Sequence, residues 1–313
     1  MARLAPGAEN EFKHVISLGC RCSQSSVYKA MGARRYACPF DWIFSSAAMV
    51  SHCLRDDFRD FLDKRQYYLN GTSFDSIGLK PGSAPRERKL IGHNTYSEMT
   101  AGVGRGTIFN HRDPLHDDSD YLYIERCVQR FRCLLGSADR KLFVVLNLNR
   151  QLWIEADLME LFRELSQRTC NFLLLVLDCS GKNIGPTAAR MPAEELCRQS
   201  HPGQRDLLMC RLPCVGDNTG SYFRDDTDAQ RVRAILLEPF RFDLAPDPLL
   251  ETEAGQGPRL AADAADAAGS ASGYAAGALP RSVRRWSEAP KAESQSEAEE
   301  AEEKPKRRWG RAS

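Results

Sequence analysis

Two continuous apolar stretches, Leu142–Leu148 (LFVVLNL) and Phe172–Asp178 (FLLLVLD), decide the fold class. Each has the length of an ordinary strand, and neither alternates apolar with polar residues. A strand that is apolar at nearly every position is buried on both faces, as in a parallel sheet covered by helices. The two stretches therefore predict strands of such a sheet.

Segments with helical spacing of apolar residues separate the predicted strands along the chain. Further strands are predicted at His14–Gly19 (HVISLG), Thr107–Asn110 and Asp206–Leu212. Strands that alternate with helices predict an α/β fold of three layers, a mostly parallel sheet with helices on both faces. The predicted helices are Ser23–Met31, Ser46–Leu62, a segment with Ser119 as its N-cap that runs to Leu135, Asp157–Arg168, Pro192–Gln199 and Thr227–Leu237.

A change in composition near Asp247 divides the chain. Residues 12–246 hold the predicted elements and are expected to form one α/β domain, and residues 1–11 are expected to be flexible. Residues 64–104 are Gly-rich and aperiodic, which predicts an elaborated loop or lid. Residues 247–313 are rich in Ala and Glu and end in the basic run Lys304–Trp309. Such a tail buries too little apolar surface to offset its ordering entropy, so we predict that it is disordered.

Composition and charge exclude several classes of function. The formal net charge is +1, so no global charge attracts nucleic acid or an anionic membrane. No stretch approaches the roughly 18 apolar residues of a membrane span, and Met1–His14 lacks the apolar segment of a secretory signal. The 11 cysteines are therefore expected to be reduced thiols of a cytoplasmic protein. The basic run is either solvated, a nuclear localisation signal or a patch that binds a protein partner.

Chemically capable side chains follow each predicted strand. In an open parallel sheet, ligands bind outside the carboxyl ends of the strands, so these side chains are expected to meet at one edge. A thiol, an imidazole, amides and carboxylates together match a Cys-His-Asp/Asn nucleophilic site. In strand order they are Gly19, Cys20, Arg21 and Cys22; Asn110 and His111; Asn147, Asn149 and Arg150; Asp178 and Cys179; and Asp217 and Asn218.

Cys22 is the preferred nucleophile. Gly19, two residues after Ser17 of the predicted strand, permits a tight turn. Cys22 then falls in the first turn of the next predicted helix, where unpaired N–H groups favour a thiolate. Arg21 adds local positive charge. The simpler alternative is that Cys22 is a small residue packed under a loop.

His111 is the preferred general base because it directly follows a short apolar strand. His116 is the rival, but it lies in a polar, Asp-rich turn that is expected to be solvated. Asp178, Asn147 or Asn149 is expected to orient the imidazole, and the sequence leaves the choice open.

The cluster Cys38-Pro39-Phe40-Asp41-Trp42 is the other dense group of distinctive residues. One interpretation is a turn with buried aromatic rings in which Asp41 caps local backbone. The other is that Asp41 binds Arg21 or a catalytic group from below. Zinc binding is a weaker hypothesis, because the pairs Cys20-x-Cys22 and Cys210-x3-Cys214 lack the usual C-x2-C spacing.

These motifs, in this order, resemble a family named putative papain-like cysteine peptidases, also classed as a domain of unknown function. The resemblance rests on Ser17-Leu18-Gly19-x-x-Cys22 and on Pro39-Phe40-Asp41-Trp42. Phe58–Leu62, His111 and the segments Arg126–Leu135 and Leu142–Leu148 extend it over roughly residues 12–240.

The resemblance implies Cys22 as nucleophile, His111 as base and a papain-like α+β fold as the alternative architecture. The chain departs from the family by carrying Cys20 beside Cys22, and by Asn147 where a basic residue is common.

Two functions are therefore predicted. The first is a cysteine-dependent hydrolase, peptidase-like or acyl-transferring, that acts on a peptide or small molecule with no cofactor and no metal. The second is a non-catalytic or phosphate- or nucleotide-sugar-binding α/β module, with Arg21, Arg112 and Arg150 as anion ligands.

Overall fold

A five-stranded sheet forms the centre of the fold. The computed structural model describes residues 11–21, 24–25, 27–28, 33, 35–75, 86–148, 154–180, 185–216, 223, 225–237 and 239–243. The predicted flexible segment 1–11, except residue 11, and the predicted tail 247–313 lie outside these residues. The strands are β1 (Glu11–Phe12), β2 (His14–Ser17), β3 (Tyr67–Asp75), β4 (Arg86–His93), β5 (Thr107–Phe109), β6 (Lys141–Asn147), β7 (Phe172–Asp178), β8 (Glu194–His201), β9 (Arg205–Arg211) and β10 (Arg241–Phe242).

The central sheet has the strand order β2-β6-β7-β9-β8. The first four strands are parallel to their neighbours, and β8 joins the edge antiparallel to β9. Strands β6 and β7, which contain the two predicted apolar stretches except Leu148, are buried at every residue. The prediction of a mostly parallel sheet is confirmed, because only strands covered on both faces can be apolar throughout.

Helices cover both faces of the sheet. The helices are α1 (Ala47–Arg55), α2 (Tyr96–Met99), α3 (Ala101–Gly104), α4 (Asp118–Gly136), α5 (Glu155–Arg168) and α6 (Asp226–Leu237). Successive side chains of β6 pack alternately into two separate cores, one on each face of the sheet. This is the alternation expected of a strand, whose side chains point to opposite faces in turn. Residues of α1, α4 and α5 pack into one core, and Tyr28 and residues of α6 pack into the other. This is the three-layer arrangement that the sequence predicts, and not the α+β alternative.

A second, antiparallel sheet of order β3-β4-β5 occupies the segment that the sequence predicted to be an irregular loop or lid. That prediction was wrong for residues 67–75 and 86–93. Tyr67 and Ile91 are buried in the first core, but Leu69 is half exposed, and a register shift at Leu69/Gly71 interrupts the ladder. A bulge of this kind breaks the alternation by which a strand is recognised.

The antiparallel sheet also contains β5, which the sequence placed in the parallel sheet. That placement was wrong, because β5 pairs antiparallel with β4, and Phe109 also bridges to Ile43. The three residues Thr107–Phe109 are all buried. A short buried strand gives no sequence signal for the sheet to which it belongs.

The segment predicted as the helix Pro192–Gln199 is instead strand β8. It is an edge strand whose residues are mostly exposed, and a turn containing Gly203 (φ +80°) and Gln204 (φ +52°) connects it to β9. Backbone hydrogen bonds to β9 stabilise this segment as a strand. They outweigh the weak helical spacing of its apolar residues, which had predicted a helix.

Three helix boundaries differ from prediction by two residues or more, among them the start of α5, which is Glu155 rather than Asp157. Helix α1 ends at Arg55 rather than Leu62, because Asp57 (φ +54°) and Phe58 (φ +59°) take left-handed conformations that no helix continues through. The N-cap of α4 is Asp117, whose carboxylate accepts the N–H of Ser119. No helix among the described residues is both long and apolar enough to cross a membrane.

Candidate functional site

The turn after β2 is conformationally strained. Gly19 and Cys20 take successive positive φ angles of +93° and +115°. Any side chain at Gly19 would collide with the Oγ of Ser45, so glycine is required there for space as well as for conformation. Cys20 is not a glycine, and its angle lies far outside the regions that L residues favour. Such strain persists only where surrounding contacts fix the backbone.

Ser45 supplies those contacts. Its hydroxyl accepts the N–H of Cys20 at 3.4 Å and donates to the carbonyl of Leu18 at 3.2 Å. Its own N–H donates to the carbonyl of Cys20, and the N–H of Gly19 donates to the hydroxyl of Ser17. One serine therefore holds both sides of the turn that follows β2.

Cys20 lines a small pocket at the carboxyl edge of the parallel sheet, together with Ser46 and Asn147. The residue is 5% exposed. Burial raises the pKa of this thiol, and the N–H of Leu148 and the charge of Arg21 offset the effect only in part. A thiol held neutral in this way is a poor nucleophile.

Gln24 fixes the chain on the other side of Cys22. Gln24, Ser25, Val27 and Tyr28 are helical, and Gln24 is 2% exposed. Its amide donates to the carbonyl of Val144 at 2.6 Å and accepts the N–H of Leu146 at 3.2 Å. It thus pairs with the edge of β6 beyond the end of β2, as a further strand residue would.

A row of polar side chains ends the central strands. Asn147 of β6, Asp178 of β7 and Arg211 of β9 are register partners. The Asp178 carboxylate accepts from the Asn147 amide at 3.3 Å, from Arg211 Nε at 3.3 Å and from both the N–H and the hydroxyl of Ser180. Within the described residues it has no hydrogen bond to His111, so its role in orienting that imidazole stays a prediction.

Asp41 joins the second motif to the helix after Cys22. Its carboxylate accepts the N–H of Cys38 at 2.9 Å and the hydroxyl of Ser25 at 3.2 Å. The bond from Cys38 closes the turn that the sequence predicted. The bond from Ser25 connects this turn to the helical residue that follows Gln24.

His111 follows β5, so it belongs to the antiparallel sheet. The prediction that His111 follows the carboxyl end of a parallel strand was wrong, because β5 pairs antiparallel with β4. Its ring packs edge-to-face on Trp42 with centroids 5.8 Å apart. Its Nδ1 lies 2.9 Å from a guanidinium nitrogen of Arg88. Arginine can only donate, so Nδ1 accepts, and the neutral ring carries its proton on Nε2.

The rival histidine, His116, is bound by the carboxylate of Asp113 at 2.9 Å in an exposed turn. This matches the solvated position that the sequence predicted. Of the proposed anion ligands, Arg112 is already engaged by Asp120 at 2.8 Å and lies over the ring of Tyr123. Arg21 lies 5.8 Å from the centre of the Phe44 ring.

Several predicted site residues lie outside the described residues. They include the proposed nucleophile, Cys22. Of the predicted site residues, Cys20 and Asn147 line the same pocket. Gly19 donates to Ser17 in the turn before Cys20, and Asp178 accepts from Asn147. The other predicted site residues that the structure does not describe are Asn149, Arg150, Asp217 and Asn218.

Sequence reasoning missed Gln24 and Ser45. Both are buried polar residues whose contacts lie far along the chain, at β6 and at the turn after β2. A polar residue in an apolar surrounding is a signal in principle, but Ser45 stands beside Ser46, which is the N-cap of α1. The local pattern therefore does not distinguish the capping serine from the buried one.

Comparison with known proteins agrees with the motifs. Residues 13–92 match the model of the family described as "Putative papain-like cysteine peptidase (DUF1796)". The match includes both motifs, Ser17–Cys22 and Pro39–Trp42, so the resemblance is confirmed over this part of the chain. His111, Asn147 and Asp178 lie beyond the matched residues. No curated protein and no solved structure matches the chain.

Proposed function

We propose that this protein is a cysteine-dependent hydrolase or acyl transferase, with Cys22 as nucleophile and His111 as general base. The observation that carries the proposal is the anchoring of the chain on both sides of Cys22. Cys20, two residues before it, is held at the end of β2, and Gln24, two residues after it, is held on β6. The family match over residues 13–92 includes Cys22 and supports its assignment as nucleophile.

The reaction follows from a thiol and an imidazole acting together. The Cys22 sulfur attacks a carbonyl carbon of the substrate, and His111 takes the thiol proton. The bond from that carbon to the leaving nitrogen or oxygen breaks, and His111 returns the proton to the leaving group. Water, or another acceptor, then attacks the thioester and regenerates the thiol. Backbone N–H groups of the turn and helix start around Cys22 are proposed to stabilise the oxyanion.

Arg88 controls whether His111 acts as a base. While Arg88 donates to Nδ1, the neutral ring offers a proton at Nε2 and no free lone pair. We therefore propose that Arg88 leaves Nδ1, or that the ring changes tautomer, when substrate binds. Asp178 is proposed to act through Asn147, whose amide it holds beside the Cys20 pocket.

Alkylation rates test the nucleophile. The full chain is treated with iodoacetamide at pH 6, and the modification of each cysteine is followed by peptide mass spectrometry. Cys22 is expected to react at least ten times faster than the exposed Cys133 and Cys170, because only an activated thiol is appreciably ionised at this pH. His111→Gln should slow Cys22 by about tenfold or more.

The matched control is His116→Gln, which removes the neighbouring exposed histidine and should leave the Cys22 rate unchanged. If Cys22 reacts no faster than Cys133 and Cys170 in the unaltered protein, the nucleophile assignment is wrong. If Cys22 is fast but His111→Gln has no effect, the nucleophile stands and the base assignment is wrong.

A further inference from the structure

A second polar cluster lies at the end of α1. It consists of His52, Asp56 and Asp60, which are spaced by four residues each and are all partly buried. One ring nitrogen and one oxygen from each carboxylate lie within 4.8 Å of one another. Neither the reaction proposed above nor the family match gives this cluster a role.

The two carboxylates have no cationic partner in the part of the chain that the structure describes. Among the described residues, neither Asp56 nor Asp60 forms an ion pair, whereas their neighbour Asp57 binds Arg132 at 2.9 Å. Two like charges placed together without a partner destabilise a fold, and each favours a cation. Imidazole and carboxylate are both ordinary metal ligands.

One oxygen of the Asp56 carboxylate is buried without a partner among the described residues. Asp56 Oδ1 is shielded from solvent and has no hydrogen-bond partner among the described residues. Its other oxygen, Oδ2, accepts the N–H of Asp60 at 2.8 Å, which fixes the carboxylate in place. A buried charged oxygen without a partner is costly, so such an atom is normally bound by water or by an ion.

A hydrogen bond holds one side of the His52 ring. His52 Nδ1 lies 3.0 Å from the hydroxyl of Tyr96, which leaves Nε2 for another partner. The Tyr96 ring is itself held 4.3 Å from the ring of His93, centre to centre. Histidines that bind metals usually engage their second nitrogen in a hydrogen bond of this kind, which fixes the tautomer.

We propose that His52, Asp56 and Asp60 bind a divalent transition-metal ion such as Mn²⁺ or Zn²⁺. One nitrogen and two carboxylate oxygens favour these ions over Ca²⁺, which takes oxygen ligands almost exclusively. Ligand atoms about 2.0–2.2 Å from an ion lie some 3–4 Å apart, so a small closure of the side chains completes the set. Water molecules take the remaining coordination positions.

Manganese binding to the full chain tests the site. Mn²⁺ is the probe because, unlike Zn²⁺, it binds thiols weakly, and the chain has many of them. Titration of chelator-treated protein, followed by the loss of the free Mn²⁺ electron paramagnetic resonance signal, should show one bound ion per chain. Asp56→Asn and Asp60→Asn should each weaken binding by at least tenfold. Asp57→Asn is the matched control and should leave it unchanged.

Thermal unfolding separates loss of ligands from loss of the fold. Mn²⁺ should raise the melting temperature of the unaltered protein and not that of Asp60→Asn. Without metal, Asp60→Asn should melt at or above the temperature of the unaltered protein, because it removes one of two repelling charges. Absence of one-to-one binding, or binding that survives both substitutions, would overturn the proposal.

Discussion

The carboxyl edge of the parallel sheet and the antiparallel sheet β3-β4-β5 differ in how their polar residues are held. At the parallel edge, Cys20, Gln24, Asn147 and Asp178 are buried and bound to backbone or to one another. At the antiparallel sheet, His111 and Arg88 meet in a solvent-exposed contact. The first region is fixed by many contacts, and the second can rearrange at little cost.

This difference suits the two halves of the proposed site. A nucleophile gains from a rigid backbone that aims it, because small displacements of reacting atoms lower rates steeply. A base that must change its hydrogen-bond partner gains from a contact that is easily broken. The predictions below test whether the parallel edge is rigid and whether the antiparallel side is adjustable.

The largest effect is expected for Gly19→Ala. The new methyl group would collide with Ser45 Oγ at a residue whose φ is +93°, so we expect a loss of about 3 kcal/mol or more in the free energy of unfolding. Urea denaturation measures it. Gly203→Ala is the control, because Gly203 has a similar φ of +80° but space for a methyl group, and it should cost about 1 kcal/mol. Equal costs at the two positions would show that the turn is not tightly packed.

The next effect concerns Cys20. Burial raises the pKa of this thiol, so its alkylation should be about 100-fold slower than that of the exposed Cys133 between pH 7 and 9. Peptide mass spectrometry after timed exposure to iodoacetamide gives both rates. Comparable rates would mean that the turn opens readily and that the parallel edge is not rigid.

A smaller loss is expected for Gln24→Met. Methionine keeps the length of the side chain but leaves the N–H of Leu146 buried without its acceptor, which should cost about 2 kcal/mol. Gln129→Met on the exposed face of α4 is the control and should change stability by less than about 0.5 kcal/mol. If both substitutions cost the same in urea denaturation, Gln24 does not anchor the helix.

The smallest effect on stability is expected for Arg88→Met. The contact is exposed, so unfolding free energy should change by less than about 0.5 kcal/mol. The ring of His111 should nevertheless gain the tautomer protonated at Nδ1, which ¹⁵N chemical shifts report. Lys89→Met, which removes the adjacent ion pair with Asp113, should leave those shifts unchanged. An unchanged tautomer in Arg88→Met would show that Arg88 does not control the base.

The sequence was sufficient for the parallel sheet and insufficient for the antiparallel one. β6 and β7 were recognised because complete burial leaves an uninterrupted apolar run. β3 was not, because one side is exposed and a register shift at Leu69/Gly71 breaks its alternation. β8 was taken for a helix because an edge strand is stabilised by its partner and not by its own pattern.

The residues of the candidate site could likewise be predicted only where they follow strands of the parallel sheet. Residues that directly follow buried strands, such as Asn147 and Asp178, could be placed at one edge once the sheet was known to be parallel. His111 could not be placed, because its strand belongs to the other sheet. Gln24 and Ser45 were missed, because their partners lie elsewhere in the chain and no local pattern marks them.

Disulfide trapping tests most directly whether the two halves form one site. In His111→Cys, a two-carbon bis-methanethiosulfonate reagent should join Cys22 to the new cysteine through a disulfide at each end, because removal of the imidazole leaves the two Cβ atoms farther apart than the about 4 Å of a direct disulfide. Mass spectrometry of the unreduced peptides identifies the cross-link, and His116→Cys should not form it. A Cys22 cross-link in the first variant alone is the predicted result. Its absence, or equal trapping in both variants, would contradict the pairing of Cys22 with His111.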